Sequence, residues 1–191
     1  YKGTTTVAGG MGNPEMVSLI ARYDLARIED NIISEYSLNY LNRMVELCKQ
    51  EDIELVLVTT PFTYFHLAGM EDYTVFYKYM KQYAEDNGIE YYDFNLCKND
   101  ILPLANEDFL DIHHLSGKGA EEYSKVFVDV MKNKDKKERE SLFYDNVEEK
   151  LSDLPQQTFG IVYESLDEEY KKYEVRLVSN YSIEEEYRIA L

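Results

Sequence analysis

The chain has 191 residues, 45% hydrophobic and 14% aromatic, which is typical of one medium-sized globular domain or a smaller domain with an appendage. Its formal net charge of −17 argues against nucleic acid and against anionic membrane surfaces as partners. Two cysteines do not define a disulfide framework, although a Cys48–Cys97 bridge is possible. No signal peptide or membrane-spanning segment is present. Because the chain opens at Tyr1 in a Thr/Gly-rich stretch, we expect any membrane link to come only through a missing N-terminal anchor.

The first half of the sequence alternates between helical and strand patterns. Apolar spacing predicts a helix over residues 14–33 and a clearer one over residues 36–48. The stretch 55–60, which opens with four continuous apolar residues, predicts a parallel strand that is buried on both faces. An aromatic-rich helix over 71–87, ended by Gly88, then leads to a second short strand at 89–94. This rhythm predicts an α/β domain with a mostly parallel sheet.

The last third of the sequence has a different character. Residues 133–140 form a dense mixed-charge run, which predicts a solvated helix or linker. Residues 158–163 and 173–179 alternate like half-buried strands, and 187–191 could form a third. We therefore expect an α/β domain at 1–132, a charged helix or linker at 133–155 and a small antiparallel β element at 156–191.

Polar residues follow the two predicted strands of the α/β domain. In open α/β sheets, ligands bind at the carboxyl ends of the strands. Thr59 and Thr60, with Thr63 or His66 further on, are therefore candidates to line a cleft, although the hydroxyls could equally satisfy backbone groups. Asn95 and Asn99 follow the second strand and could serve an oxyanion site or simply a turn.

The most informative stretch is the loop Asp111-Ile-His-His-Leu-Ser116 and the helix after it. Ser116 is a candidate N-cap, and apolar residues at helical spacing predict a helix to about Lys132. A carboxylate three residues before His114 can fix the tautomer of that imidazole, leaving its other nitrogen to act as a general base.

This loop, followed by Gly119-Ala120, resembles the last conserved block of the SGNH (GDSL-type) hydrolase and acyltransferase superfamily. The order of strand-end loop, D-x-x-H-L, Gly-Ala and helix is similar to the extracytoplasmic branch that includes alginate O-acetylation proteins and the D-alanyl transfer protein of cell walls. The resemblance implies a three-layer α/β/α fold, with Asp111 and His114 as the catalytic orienter and base. His113 falls on a variable position of the motif and is a candidate substrate contact with Thr59 and Thr60.

The resemblance implies hydrolysis or transfer of acyl esters on a glycan at the cell surface or elsewhere outside the cytoplasm, without a cofactor or resident metal. The possible partners are the glycan and an acyl donor. However, the sequence contains neither Gly-Asp-Ser nor Gly-x-Ser-x-Gly, so the nucleophilic serine is not visible. We expect the chain alone to be inactive, either as the carboxyl-terminal part of a longer enzyme or as a degenerate relative.

Three other hypotheses stay open at this stage. Asp108, Asp111, His113 and His114 could hold a metal ion, although adjacent histidines point in different directions. The domain could instead be a non-catalytic binding or scaffold module at the cell surface that meets glycans or proteins. In the third hypothesis, Asp111 only caps a turn and His114 fills the core.

Overall fold

Helices and two parallel strands alternate in the computed structural model of the chain, which describes residues 32–70, 73–111, 113–153, 159–167 and 172–179. The first part comprises α1 (Glu35–Gln50), β1 (Val56–Thr59), α2 (Tyr64–Gly69), α3 (Tyr73–Asn87) and β2 (Glu90–Asp93). The second comprises α4 (Gly117–Lys132), α5 (Lys136–Glu140), α6 (Val147–Ser152), β3 (Phe159–Asp167) and β4 (Lys172–Ser179). Short 3-10 turns occur at Phe94–Leu96 and Asn106–Asp108. The predicted mixed α/β class is confirmed.

The strands β1 and β2 pair in parallel, with Val56 opposite Glu90 and Thr59 opposite Asp93. This register aligns the carboxyl ends of the two strands, so the residues after them lie at the same edge. The prediction that the first strand is buried on both faces was wrong, because Val58 is 39% exposed. Among the described strands β1 has one neighbour, and a strand paired in this way is not enclosed along its whole length.

The helix before β2 ends as the sequence predicts. Gly88 has a φ of 67°, and the Ile89 amide donates to the Ala84 carbonyl behind it. Glycine reaches this left-handed conformation without the steric cost that a Cβ would bring. The turn therefore reverses the chain and directs it into β2.

Two groups of buried side chains form the core of the described residues. One contains Tyr92, Phe94 and Phe109 with Val130 of α4. The other contains Leu67 of α2, Tyr73 of α3, Leu96 of the 3-10 turn after β2, and Val147 of α6. Since Tyr92 of β2 and Phe109 of the loop before α4 belong to the same group, the sheet edge and this loop are fixed against one another.

The charged run before α6 is not simply a solvated linker, so that prediction was wrong for Arg139. Its side chain is buried, its Nε donates to the Tyr92 hydroxyl at 2.6 Å, and its Nη2 donates to both carboxylate oxygens of Glu90 at 2.6 and 2.7 Å. Further on, the buried Lys150 donates from Nζ to the Cys97 carbonyl at 2.5 Å. The segment is therefore held onto β2 and the loop after it.

The predicted β element of the tail is confirmed as the antiparallel pair β3 and β4. Phe159 lies opposite Ser179 and Tyr163 opposite Val175. The predicted helix at 14–33 lies almost wholly outside the described residues, and the possible strand at 187–191 lies outside them completely. Cys48 and Cys97 are free thiols, so the possible bridge is not formed.

Candidate active site

The loop that contains Asp111 and His114 is a tight turn closed by its own backbone. The Leu110 amide donates to the His114 carbonyl at 2.7 Å, and the Ser116 amide donates to the Asp108 carbonyl at 2.8 Å. Phe109, just inside this closure, is only 1% exposed and packs in the core. The Asp111 loop therefore projects from backbone that these hydrogen bonds and the buried Phe109 hold in place.

The first turn of α4 supports the start of this loop. Ser116 caps the helix, since its Oγ accepts a hydrogen bond from the Gly119 amide at 3.2 Å. A Cβ at Gly119 would lie 2.0 Å from the Asp108 carbonyl oxygen, a distance that real Cβ atoms do not show. Glycine is required here because the helix and the start of the turn touch through their backbones.

Asp111 organises the turn through its carboxylate. Its Oδ1 accepts hydrogen bonds from the amides of His113 and His114, both at 2.8 Å. Its Oδ2 lies 2.8 Å from the His114 Nδ1. Partial burial raises the pKa of Asp111, but the hydrogen bonds from the His113 amide and from the His114 ring outweigh it and lower the pKa below its ordinary value. The carboxylate therefore stays ionised and acts only as an acceptor.

This arrangement fixes the proton of His114 on Nδ1, because an ionised carboxylate cannot donate to that nitrogen. The remaining nitrogen, Nε2, then carries a lone pair. Within the described ranges no residue forms a hydrogen bond to it, and the His114 side chain is 73% exposed. The hypothesis that His114 fills the core is contradicted by this exposure. The pair has the geometry of a general base and its orienting carboxylate.

His113 contacts His66, a residue of the short helix α2 that follows β1. Its Nε2 lies 3.1 Å from Nε2 of His66, and the two rings meet edge to face with centroids 4.3 Å apart. His66 belongs to α2, which follows β1 after a four-residue connection. The sequence suggests His66 only as a possible cleft residue. Its pairing with His113 could not be found from spacing, because the two lie 47 positions apart.

The threonines at the end of β1 have other contacts. Thr59 Oγ1 lies 2.8 Å from the Tyr91 hydroxyl, and the Thr60 carbonyl accepts a hydrogen bond from Asn95 Nδ2 at 3.3 Å. Thr60 is exposed, whereas Thr63 is buried and caps α2. No described contact joins Thr59 or Thr60 to the pair Asp111–His114. Their role in substrate binding stays a prediction.

A buried cluster that no sequence pattern indicates surrounds Asp93, the last residue of β2. Oδ2 of this carboxylate accepts from the hydroxyls of Tyr73 at 2.6 Å and Tyr91 at 3.3 Å, and Oδ1 accepts from the Asn95 amide and Nδ2, both at 3.0 Å. Burial, which these hydrogen bonds only partly offset, raises the pKa of Asp93 to about 6. Asn95 Oδ1 is also occupied, by the Phe62 amide. The side-chain amide of Asn95 is therefore engaged within the fold, so Asn95 has a structural role and does not serve as an oxyanion donor.

The hypothesis of a metal site at the loop finds no support in the geometry. Asp108 is directed to the ammonium of Lys118 at 2.7 Å and to the Ala105 amide at 2.9 Å, away from the imidazoles. In the part of the chain that the structure describes, no group of three or more His, Cys, Asp or Glu side chains is arranged to hold an ion.

Comparisons with known proteins place the loop in a family. The model of an uncharacterised protein family matches residues 14–136, more than half of the chain. The chain belongs to this family. The matched region contains the parallel pair β1–β2, the loop with Asp111 and His114, and α4.

Neither the curated proteins nor the solved structures include one that matches this chain. Within the described ranges, no helix combines the length and apolar character needed to cross a membrane.

Proposed function

We propose that this chain is an SGNH-like hydrolase or O-acyltransferase domain that acts on acyl esters of an extracytoplasmic glycan. The observation that carries the proposal is the contact of 2.8 Å between Asp111 Oδ2 and His114 Nδ1, with His114 Nε2 left without a partner among the described residues. The proposal includes the three-layer arrangement and a location outside the cytoplasm. It requires no cofactor.

The proposed chemistry begins when His114 Nε2 removes the proton of a serine hydroxyl as the serine oxygen attacks the acyl carbonyl carbon. The carbonyl π electrons move to its oxygen, and Asp111 stabilises the imidazolium formed. When the tetrahedral intermediate collapses, the ester C–O bond breaks and Nε2 returns its proton to the leaving alkoxide. Water or an acceptor hydroxyl then takes the acyl group from the serine by the same steps in reverse.

The nucleophile is not visible in this chain, since the sequence has neither of the usual serine motifs. The proposal therefore assigns Asp111 and His114 to one half of a site, and the serine to a segment that meets them in the full-length gene product. The chain alone is expected to have no turnover, while the base and its orienter are already assembled in it.

The first experiment measures acetate release from O-acetylated oligosaccharides and from p-nitrophenyl acetate by the full-length gene product. His114→Gln should lower kcat/KM about 10³-fold, because a positioned general base contributes a factor of this order. Lys125→Gln is the matched control, since Lys125 is an exposed residue of α4 that pairs only with Glu121 and Glu122 among the described residues. Hydrolysis that is equal in the wild type and His114→Gln would refute the proposal.

A second candidate function is a non-catalytic glycan-binding module, and one feature favours it. A cleft of about 360 Å³ lies beside β2 and is lined mainly by aromatic and acidic side chains, among them Tyr77, Tyr91, Tyr92, Phe143 and Tyr144. Aromatic rings of this kind can stack on sugar rings, and the acidic side chains of the lining can accept hydrogen bonds from sugar hydroxyls. Tyrosine fluorescence, in a chain without tryptophan, should change on titration with neutral oligosaccharides if this function is correct. A Tyr91→Ala variant should then show no such change.

A further inference from the structure

His66 is the one buried histidine among the described residues, and the reaction proposed above does not use it. Its side chain lies in the first turn of α2, directly after the carboxyl end of β1, and the residue is 5% exposed. The His66 ring makes two edge-to-face contacts, one with the Phe62 ring at a centroid distance of 4.9 Å and one with the His113 ring at 4.3 Å. Its Nδ1 is buried without a hydrogen-bond partner among the described residues.

We propose that His66 is a positioning residue for the pair Asp111–His114, which it holds in place through a hydrogen bond from its Nε2 to Nε2 of His113. This inference rests on the proposed function for its catalytic meaning. The structural link that it describes can be measured without any activity.

The direction of the hydrogen bond follows from the surroundings of His66. If the proton were on Nδ1, a buried N–H donor would have no acceptor, and orphaned buried N–H groups are rarer in proteins than under-satisfied acceptors. The proton therefore belongs on Nε2, which donates to His113 Nε2 across 3.1 Å. His113 must then carry its own proton on Nδ1.

The connection to the catalytic pair passes through a single residue. The ring of His113 is held by His66, while its backbone amide donates to Asp111 Oδ1 at 2.8 Å. That same oxygen also accepts from the His114 amide and lies 3.0 Å from His114 Nδ1. A shift of His113 therefore displaces the carboxylate that orients His114. Misplacement by about 1 Å is enough to cost about 10²-fold in rate at an active site.

Two other roles for His66 fit the geometry less well. A metal ion between the two imidazoles would need further ligands, and within the described ranges no third acidic, cysteine or histidine side chain joins them. Direct proton transfer with His114 has no support in this arrangement, because the described ring contacts of His66 are with Phe62 and His113 and none is with His114.

The decisive variants are His66→Phe and His66→Gln. Phenylalanine keeps an aromatic ring against Phe62 but removes the donor, whereas the amide nitrogen of glutamine can replace Nε2–H. Imidazole nitrogen NMR of the chain should show His114 protonated on Nδ1 in the wild type. In His66→Phe the share of the Nε2-protonated tautomer should rise at least several-fold, and His66→Gln should restore the wild-type distribution. A purely structural role would change the melting temperature but not the tautomer of His114.

A second measurement uses the wild type alone and so does not depend on the folding of a variant. The proposal requires His66 to be protonated on Nε2 and His113 on Nδ1, and finding the His66 proton on Nδ1 would overturn it. An unchanged His114 tautomer in a folded His66→Phe variant would overturn it as well. In the full-length gene product, His66→Phe should lower kcat about tenfold with KM within about twofold. If His114→Gln leaves hydrolysis intact while the tautomer results hold, the proposed function fails and the positioning contact stands.

Discussion

Two hydrogen-bonded carboxylates, Asp93 and Asp111, show how similar chemistry gives different roles. Asp93 is 2% exposed, and its partners are two tyrosine hydroxyls and the amide groups of Asn95, none of which is a base near neutral pH. Asp111 is partly exposed, and its partner is an imidazole whose second nitrogen is open to solvent. The first set of hydrogen bonds closes on itself and stabilises the fold. The second ends at a group that can accept a proton from a substrate or nucleophile.

The largest effect on stability is expected from Gly119→Ala, where α4 contacts the start of the Asp111 loop. The new Cβ would meet the Asp108 carbonyl oxygen at 2.0 Å, so the turn and α4 must separate. We expect a loss of about 3 kcal/mol in the free energy of unfolding, at the upper end for overpacking. Urea denaturation followed by circular dichroism measures it. Glu121→Ala, exposed on the same helix, should change stability by less than about 0.5 kcal/mol.

Replacing each carboxylate with an amide should affect the two sites differently. Asp93→Asn leaves one oxygen to face four donor groups, so buried donors lose their acceptor. We expect a loss of about 2 to 3 kcal/mol in the free energy of unfolding from the desolvation of those donors. Equal losses of stability for Asp93→Asn and Asp111→Asn in urea denaturation would show that the two carboxylates have the same role.

The stability of the chain should depend on the protonation of His66. Burial, assisted by the neighbouring His113, lowers the pKa of His66 from 6.5 to about 4. The unfolded chain therefore binds a proton first, and stability is lost as the pH falls from about 6.5 towards 4. From these two pKa values, proton linkage predicts a loss of about 2 kcal/mol in the free energy of unfolding at pH 5.

Asp93 acts in the opposite sense, since its raised pKa adds stability as the pH falls from about 6 towards 3.8. The measurement is therefore a difference between the wild type and His66→Gln. The stability of the variant should gain about 2 kcal/mol relative to the wild type between pH 7.5 and pH 5. Parallel stability curves for the two proteins would contradict the burial of a neutral His66.

The smallest effect on stability is expected for Asp111→Asn. The carboxylate is exposed enough that its pairing with His114 contributes less than about 1 kcal/mol to the free energy of unfolding. The same change should lower esterase activity of the full-length gene product by at least about 10²-fold, because the His114 tautomer is no longer fixed. A variant that is strongly destabilised would place Asp111 with Asp93 as a structural residue.

The sequence predicted the features that depend on local pattern. The N-cap at Ser116, the glycine end at Gly88 and the Asp111–His114 spacing are all set by residues within a few positions of one another. The roles of Asp93 and His66 could not be predicted in this way. Tyr73 lies 20 positions from Asp93, and His113 lies 47 positions from His66, so only packing of the helices on β2 and on the loop brings these partners together.

The charged run before α6 shows the same limit. Its composition predicted a solvated segment, yet Arg139 is buried because Glu90 and the Tyr92 hydroxyl meet its guanidinium. A burial that depends on partners 47 and 49 positions away leaves no mark in a local charge pattern. The same applies to Lys150, whose buried ammonium lies over the rings of Tyr64 and Tyr144.

The most direct test of the central claim is labelling of the full-length gene product with a fluorophosphonate, which reacts with activated serines whatever their substrate. One serine should be labelled, as mapped by mass spectrometry, and the labelling rate should be at least about 10²-fold slower in His114→Gln and unchanged in Lys125→Gln. No labelled serine, or labelling as fast in His114→Gln as in the wild type, would contradict the assignment of Asp111 and His114 to an acyl-transfer site.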